Sequence, residues 1–101
     1  VMKIKVSDIA KANLKDIYDY HLRKASKKAA NSIKKKIISE IQSLADFHSK
    51  FQQEEYLEKI GMGHRRNVVG NYKIIYRIAD KKIIHITGIF DTRQNPNKMQ
   101  G

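Results

Sequence analysis

Most of the residues able to do chemistry lie in the last third of the chain: His64 and Arg66, Lys73 and Arg77, then Arg93 and Lys98. Within the first two pairs the members are two or four positions apart, which sets both on one face of an extended strand. Cations grouped in this way stabilise developing negative charge, such as that of a phosphate under attack. Cutting a phosphodiester by attack of a neighbouring hydroxyl also requires a proton acceptor and a donor for the departing oxygen. His64 is the one member of the set that titrates near neutrality, at about 6.5 when unperturbed. Glu54, Glu55 and Glu58 precede it in a polar stretch and offer a carboxylate as another base.

Other chemistries are poorly served. His21, His48, His64 and His85 show no paired ligand spacing, so no metal site is expected. The absence of cysteine excludes disulfides and a thiol nucleophile, and no glycine-rich phosphate loop occurs. No cofactor is expected.

A length of 101 residues is that of one domain, residues 1–101, with one modest core. Lys and Arg total 21 against 10 Asp and Glu, a formal charge of +11 that exceeds what solubility needs. The excess favours a polyanionic partner: nucleic acid, an acidic membrane surface or an acidic protein segment. No apolar run reaches the roughly 18 residues of a membrane span, and VMKIKV lacks the apolar core of a secretory signal, so a cytoplasmic location is expected.

The elements that must position these residues follow from periodicity. Met2 to Val6 alternates lysine with apolar residues, as a half-buried strand does. Ser7 and Asp8 can cap a helix running to about Lys24, with Ala10, Leu14, Ile17 and His21 on its inner face. From Ser26 a second helix carries Ala30, Ile33, Ile37, Ile41 and Leu44 inward, with Lys27, Lys28, Lys34, Lys35 and Lys36 on the remaining faces. That lysine run suits a solvated face and also suits a nucleic-acid surface. Phe47 to Gly63 is a connecting loop with room for one helical turn near Glu55 to Lys59. His64 to Val69, Tyr72 to Ala79 and Lys82 to Phe90 then read as strands, with turns at Gly70-Asn71 and Asp80-Lys81. The expected fold is α+β, in the order β-α-α-β-β-β, with a helical hairpin on one face of a small, mainly antiparallel sheet.

Turn geometry then assigns faces, because residues opposite one another across a ladder share a side. A Gly70-Asn71 turn groups His64, Arg66, Val68, Lys73, Ile75 and Arg77 on one side. Arg65, Asn67, Val69, Tyr72, Ile74, Tyr76 and Ile78 share the other, which is more apolar and faces the helices. An Asp80-Lys81 turn places Ile83, His85, Thr87 and Ile89 toward the helices and Ile84, Ile86, Gly88 and Phe90 on the basic side. The expected docking surface is an exposed apolar stripe, Ile75, Ile84, Ile86 and Phe90, rimmed by cations. Arg66, Lys73 and Arg77 equally suit solvated strand positions that discourage edge pairing. Pro96 and the flanking asparagines end the last strand, so that the tail either presents Arg93 and Lys98 or pairs Arg93 with Asp91 at the surface.

The element order, DIYDY in the first helix, the hairpin GNYKIIYRI and the ending IFDTRQNPNKM together resemble the RelE/ParE superfamily of bacterial toxins from type II toxin-antitoxin modules, over nearly the whole chain. The TRQNP tail is more similar to the ParE and plasmid-stabilisation branch than to RelE. This resemblance implies a small basic toxin neutralised by an acidic antitoxin, acting as a non-enzymatic inhibitor of DNA gyrase. Its partner-binding residues are then expected to be Ile75, Arg77, Ile84, Ile86, Phe90, Arg93 and Lys98. The alternative that it implies is ribosome-dependent mRNA cleavage, with His64, Arg66, Lys73 and Arg93 as the catalytic set. A departure bears on that alternative: where RNA-cleaving relatives place a tyrosine or histidine after the arginine, this tail has Gln94, Asn95, Pro96, Asn97, Lys98 and Met99. A plain basic nucleic-acid-binding module using the Lys27 to Lys36 face is a further alternative.

Overall fold

The computed structural model describes residues 2–47, 54, 56–57, 61, 63–80, 82–95 and 98–99. The order is β1 (Lys3–Val6), α1 (Asp8–Lys24), α2 (Lys27–Phe47), β2 (Arg65–Val69), β3 (Tyr72–Asp80) and β4 (Ile83–Asp91). The strands form one sheet in the order β1-β4-β3-β2, with β1 parallel to β4 and the other pairs antiparallel. The anticipated helical turn near Glu55 to Lys59 lies largely outside the described residues; Tyr56 and Leu57 form a short 3₁₀ turn.

Local chemistry sets both helix starts. The Ser7 hydroxyl accepts from the Ala10 amide at 3.0 Å and donates to the Thr87 carbonyl at 3.2 Å, so one side chain caps α1 and ties it to β4. Ser26 caps α2, accepting from the Ala29 amide at 3.1 Å. The helical hairpin packs on one face of the sheet. There Ala10, Ile17, Ile37, Ile41 and Leu44 meet Val69, Tyr72, Ile74, Tyr76, Ile84, Ile86 and Ile89 in the main core. Each of the larger side chains contributes about 1.5–3 kcal/mol through burial. No helix among the described residues is long and apolar enough to cross a membrane.

The β2–β3 hairpin has the expected register, with Arg66 opposite Ile75 and Val68 opposite Lys73. Gly70 takes φ +59° at the first turn position, where a residue with a Cβ is strained. The β3–β4 register differs from expectation. Ala79 is an extra residue on β3, so Arg77, and not Tyr76, lies opposite His85. A second irregularity at Thr87 restores the original phase, and Lys73 faces Phe90. The Thr87 hydroxyl donates to the Ile75 carbonyl at 3.4 Å across this bulge.

The consequence corrects the expected docking stripe. Between the two bulges β4 is turned over, so Ile84 and Ile86 point toward the helices and are fully buried in the main core, while His85 shares the opposite face with Arg77. Ile75 and Phe90 do lie on the side away from the helices. That side is not bare there, however: Leu57 and Met99 cover Ile75 in a second apolar cluster against which Phe90 packs. Ile78, assigned to the helix side, is 40% exposed near the strand end.

Candidate functional site

The face away from the helices holds His64, Arg66 and Lys73 as the hairpin register requires, and a carboxylate is set among them. Glu54 is 1% exposed. Its Oε1 accepts from Lys73 Nζ at 2.7 Å and lies 3.6 Å from Arg66 Nη1, while Oε2 accepts from the Tyr56 amide at 2.9 Å. The Glu54 amide donates to the His64 carbonyl at 2.7 Å, fixing this segment to the start of β2. Lys73 Nζ also stands 5.2 Å from the centre of the half-exposed Tyr56 ring. The two cations are only 20% and 16% exposed, so their charge meets a buried counter-ion before it meets solvent.

His64 is 2% exposed, and neither ring nitrogen finds a hydrogen-bond partner among the described residues. Burial holds its pKa below the ordinary 6.5, and the Arg77 guanidinium lowers it further. It is therefore neutral at physiological pH and sealed from a substrate.

Arg93 does not join this group. Asp91 lies opposite Tyr72, whose side chain faces the helices, and Arg93 pairs with Asp91 on that side. Its Nε and Nη2 donate to the two Asp91 oxygens at 2.9 and 2.8 Å, and the guanidinium lies 5.8 Å from the centre of the Tyr20 ring. Arg93 holds the Asp91 carboxyl below the usual range. The neighbouring Tyr72 hydroxyl shares a 2.9 Å hydrogen bond with His21, and its pKa is raised chiefly by burial. The expected quartet of His64, Arg66, Lys73 and Arg93 is thus divided between the two faces of the sheet.

A cleft of about 410 Å³ runs between α1 and the end of β4. It brings together three of the expected partner-binding residues, Ile75, Phe90 and Lys98, with Asn13, Asp16 and Tyr20 from α1. It exists because β1 stops at Val6 while β4 continues to Asp91, leaving part of the β4 edge without a strand. The Asn13 Oδ1 takes the place of a strand carbonyl there, accepting from the Ile89 amide at 3.0 Å. Sequence reasoning named none of Asn13, Asp16 and Tyr20 as site residues. A signal was available in the polar and aromatic composition of DIYDY and its flank, which exceeds what an inward helix face needs. Arg77 lies outside this cleft, on the far face of the sheet opposite His85. Among the described residues no group of three or more His, Asp or Glu could hold a metal ion.

Comparison with known proteins gives this geometry a family. A chain of the chromosomal ParDE TA system from P. aeruginosa has the same fold, with a TM-score of 0.75 over 89% of this chain and 95% of that one at 18% identity. Among curated proteins none matches the chain. The model of the family described as ParE toxin of type II toxin-antitoxin system, parDE, matches residues 4–96. With nearly all of its length so matched, the chain belongs to the ParE toxin family of type II toxin-antitoxin systems.

Proposed function

We propose that this toxin arrests growth by binding DNA gyrase, with no bond-making chemistry of its own, and that an acidic antitoxin segment neutralises it. The observation that carries this reading is the Glu54 carboxylate between Lys73 and Arg66. Phosphoryl-transfer chemistry needs uncommitted positive charge where negative charge develops. Here a buried anion already occupies that position, the neighbouring imidazole is sealed, and Arg93 lies on the other face. The cleft along α1 and β4 supplies the docking surface, with Phe90 as apolar floor and Arg23 and Lys98 as cations at its rim. An extended antitoxin segment bearing carboxylates complements that lining.

The shared placement of His64, Arg66 and Lys73 favours a second reading, cleavage of mRNA on the ribosome. It requires Glu54 to leave the cations and Arg93 to cross the end of the sheet. Inducible expression in bacteria, with plasmid supercoiling and transcript integrity followed together, separates the two. Loss of negative supercoiling with intact transcripts supports gyrase inhibition. Rapid translation-dependent cuts with normal supercoiling would establish the second reading.

A further inference from the structure

The helical hairpin carries a charged surface that neither the cleft nor the sheet uses. Between Arg23 and Glu40 the chain has Lys24, Lys27, Lys28, Lys34, Lys35 and Lys36 and no carboxylate. All six are exposed. On α2, Ala30, Ile37, Ile41 and Leu44 are buried, so the helical repeat of 3.6 puts Lys28, Ser32, Lys35, Ser39 and Asp46 on the side facing directly away from the core, with Asn31 and Lys36 beside them. Lys27 and Lys34 lie on the side toward α1, where Lys34 Nζ rests 5.4 Å from the centre of the Tyr18 ring.

An ordinary solvated helix face interleaves acids with its lysines at i, i+4. Helix α1 does so, pairing Lys15 with Asp19 at 3.1 Å. The outer stripe of α2 does not between Lys27 and Ser39. Its first turn also holds two lysines and no acid, the arrangement that the helix dipole disfavours. Helix stability therefore does not account for these charges, whereas an external anion would relieve them.

We propose that this stripe binds the phosphate backbone of duplex DNA, independently of the gyrase and antitoxin contacts. Lysine, asparagine and serine are the residue types that contact phosphate oxygens. Lys28 and Lys35 are about 10.5 Å apart along the axis, at 1.5 Å per residue, so a rigid helix spreads its cations along a duplex that carries one charge per roughly 1.7 Å. The stripe has no aromatic or large apolar side chain to anchor an acidic protein segment. A membrane surface would need the apolar face of α2, which the core already occupies. The binding carries no base sequence preference, because nothing in the stripe reads base edges by position.

The test is fluorescence anisotropy of a labelled 20-base-pair duplex of arbitrary sequence, titrated with the full chain at several salt concentrations. Contacts from Lys27, Lys28, Lys35 and Lys36 predict a slope of log K against log salt of about −3.6, at about 0.9 per neutralised phosphate. The paired substitution Lys28→Gln and Lys35→Gln should reduce that slope by about 1.8 while leaving the helical circular dichroism unchanged. The combination Lys3→Gln and Lys5→Gln, at exposed positions of β1 on the face of the sheet away from the helices, should leave it unaltered. An unchanged slope in the Lys28 and Lys35 variant, or no binding to the duplex at 50 mM salt, overturns the proposal. So does tighter binding to single-stranded RNA, an acidic peptide or anionic vesicles than to the duplex.

Discussion

The Glu54 carboxylate sits 2.7 Å from the Lys73 ammonium with its own side chain fully shielded from water, while Lys73 keeps 16% of its side-chain surface. The pair is therefore asymmetric, and so are the consequences of breaking it. Lys73→Met leaves a buried anion with Arg66 at 3.6 Å as its remaining cation and should cost about 3 kcal/mol. Glu54→Gln leaves two cations that can turn toward solvent and should cost less, about 2 kcal/mol. Urea unfolding of both variants checks the order. A larger loss in Glu54→Gln would contradict the burial asymmetry.

His64 makes stability depend on pH. Its folded pKa is lowered below 6.5 by burial and by Arg77, so the unfolded chain binds the proton more readily. The favourable contribution is complete above pH 6.5 and is lost as pH falls through that value toward the lower folded one. His64→Leu removes two unpartnered buried nitrogens. It should flatten the profile in that window and leave neutral-pH stability unchanged or about 1 kcal/mol higher. Thermal melts across pH 4.5 to 7.5 provide the comparison, and an equally steep acid loss in His64→Leu would point to other groups.

Asn67, 4% exposed on the helix side of β2, donates from Nδ2 to Glu40 Oε2 at 3.0 Å. Asn67→Asp would face one carboxylate with another in a partly dry site. Like charges so close disfavour joint ionisation, raising one pKa. The variant should lose about 2–4 kcal/mol at pH 7 and recover part of it as acidification protonates the pair. Denaturant midpoints at pH 7 and pH 5 measure the difference; a loss independent of pH would show that packing, and not charge, is responsible.

Arg93 separates structure from function. Its pair with Asp91 is half exposed, so Arg93→Ala should leave the urea midpoint unchanged. If the tail beside the cleft meets gyrase, the same variant should lose at least about ten-fold in growth inhibition, as truncation of an interface arginine commonly does. Full toxicity would remove Arg93 from the partner surface.

These tests also mark where the sequence is readable. The α1 and α2 spans follow from Ser7, Ser26 and the inner apolar positions, and the β2–β3 register follows from Gly70, whose φ of +59° fixes a two-residue turn. The sides of Ile84, Ile86 and His85 did not follow. A single extra residue, Ala79, inverts the side chains of β4 as far as Thr87, and no residue type there announces it. Phe90 and Ile89 came out on their expected sides because Thr87 inserts a second residue that undoes the first. Glu54 was visible as a loop acid, but its place under Lys73 depends on a tertiary contact made across the chain, which local pattern does not encode. Arg93 was drawn to the wrong face because its short-range pair with Asp91 outweighs any longer reach toward Lys73.

The most direct test of the account uses purified components: DNA gyrase with relaxed plasmid in one reaction and ribosomes translating a defined mRNA in another, each titrated with the full chain. The account predicts that supercoiling is blocked at toxin concentrations comparable to gyrase and that the mRNA stays full length. Cleavage of the ribosome-bound mRNA, with supercoiling unaffected at the same concentrations, would contradict it.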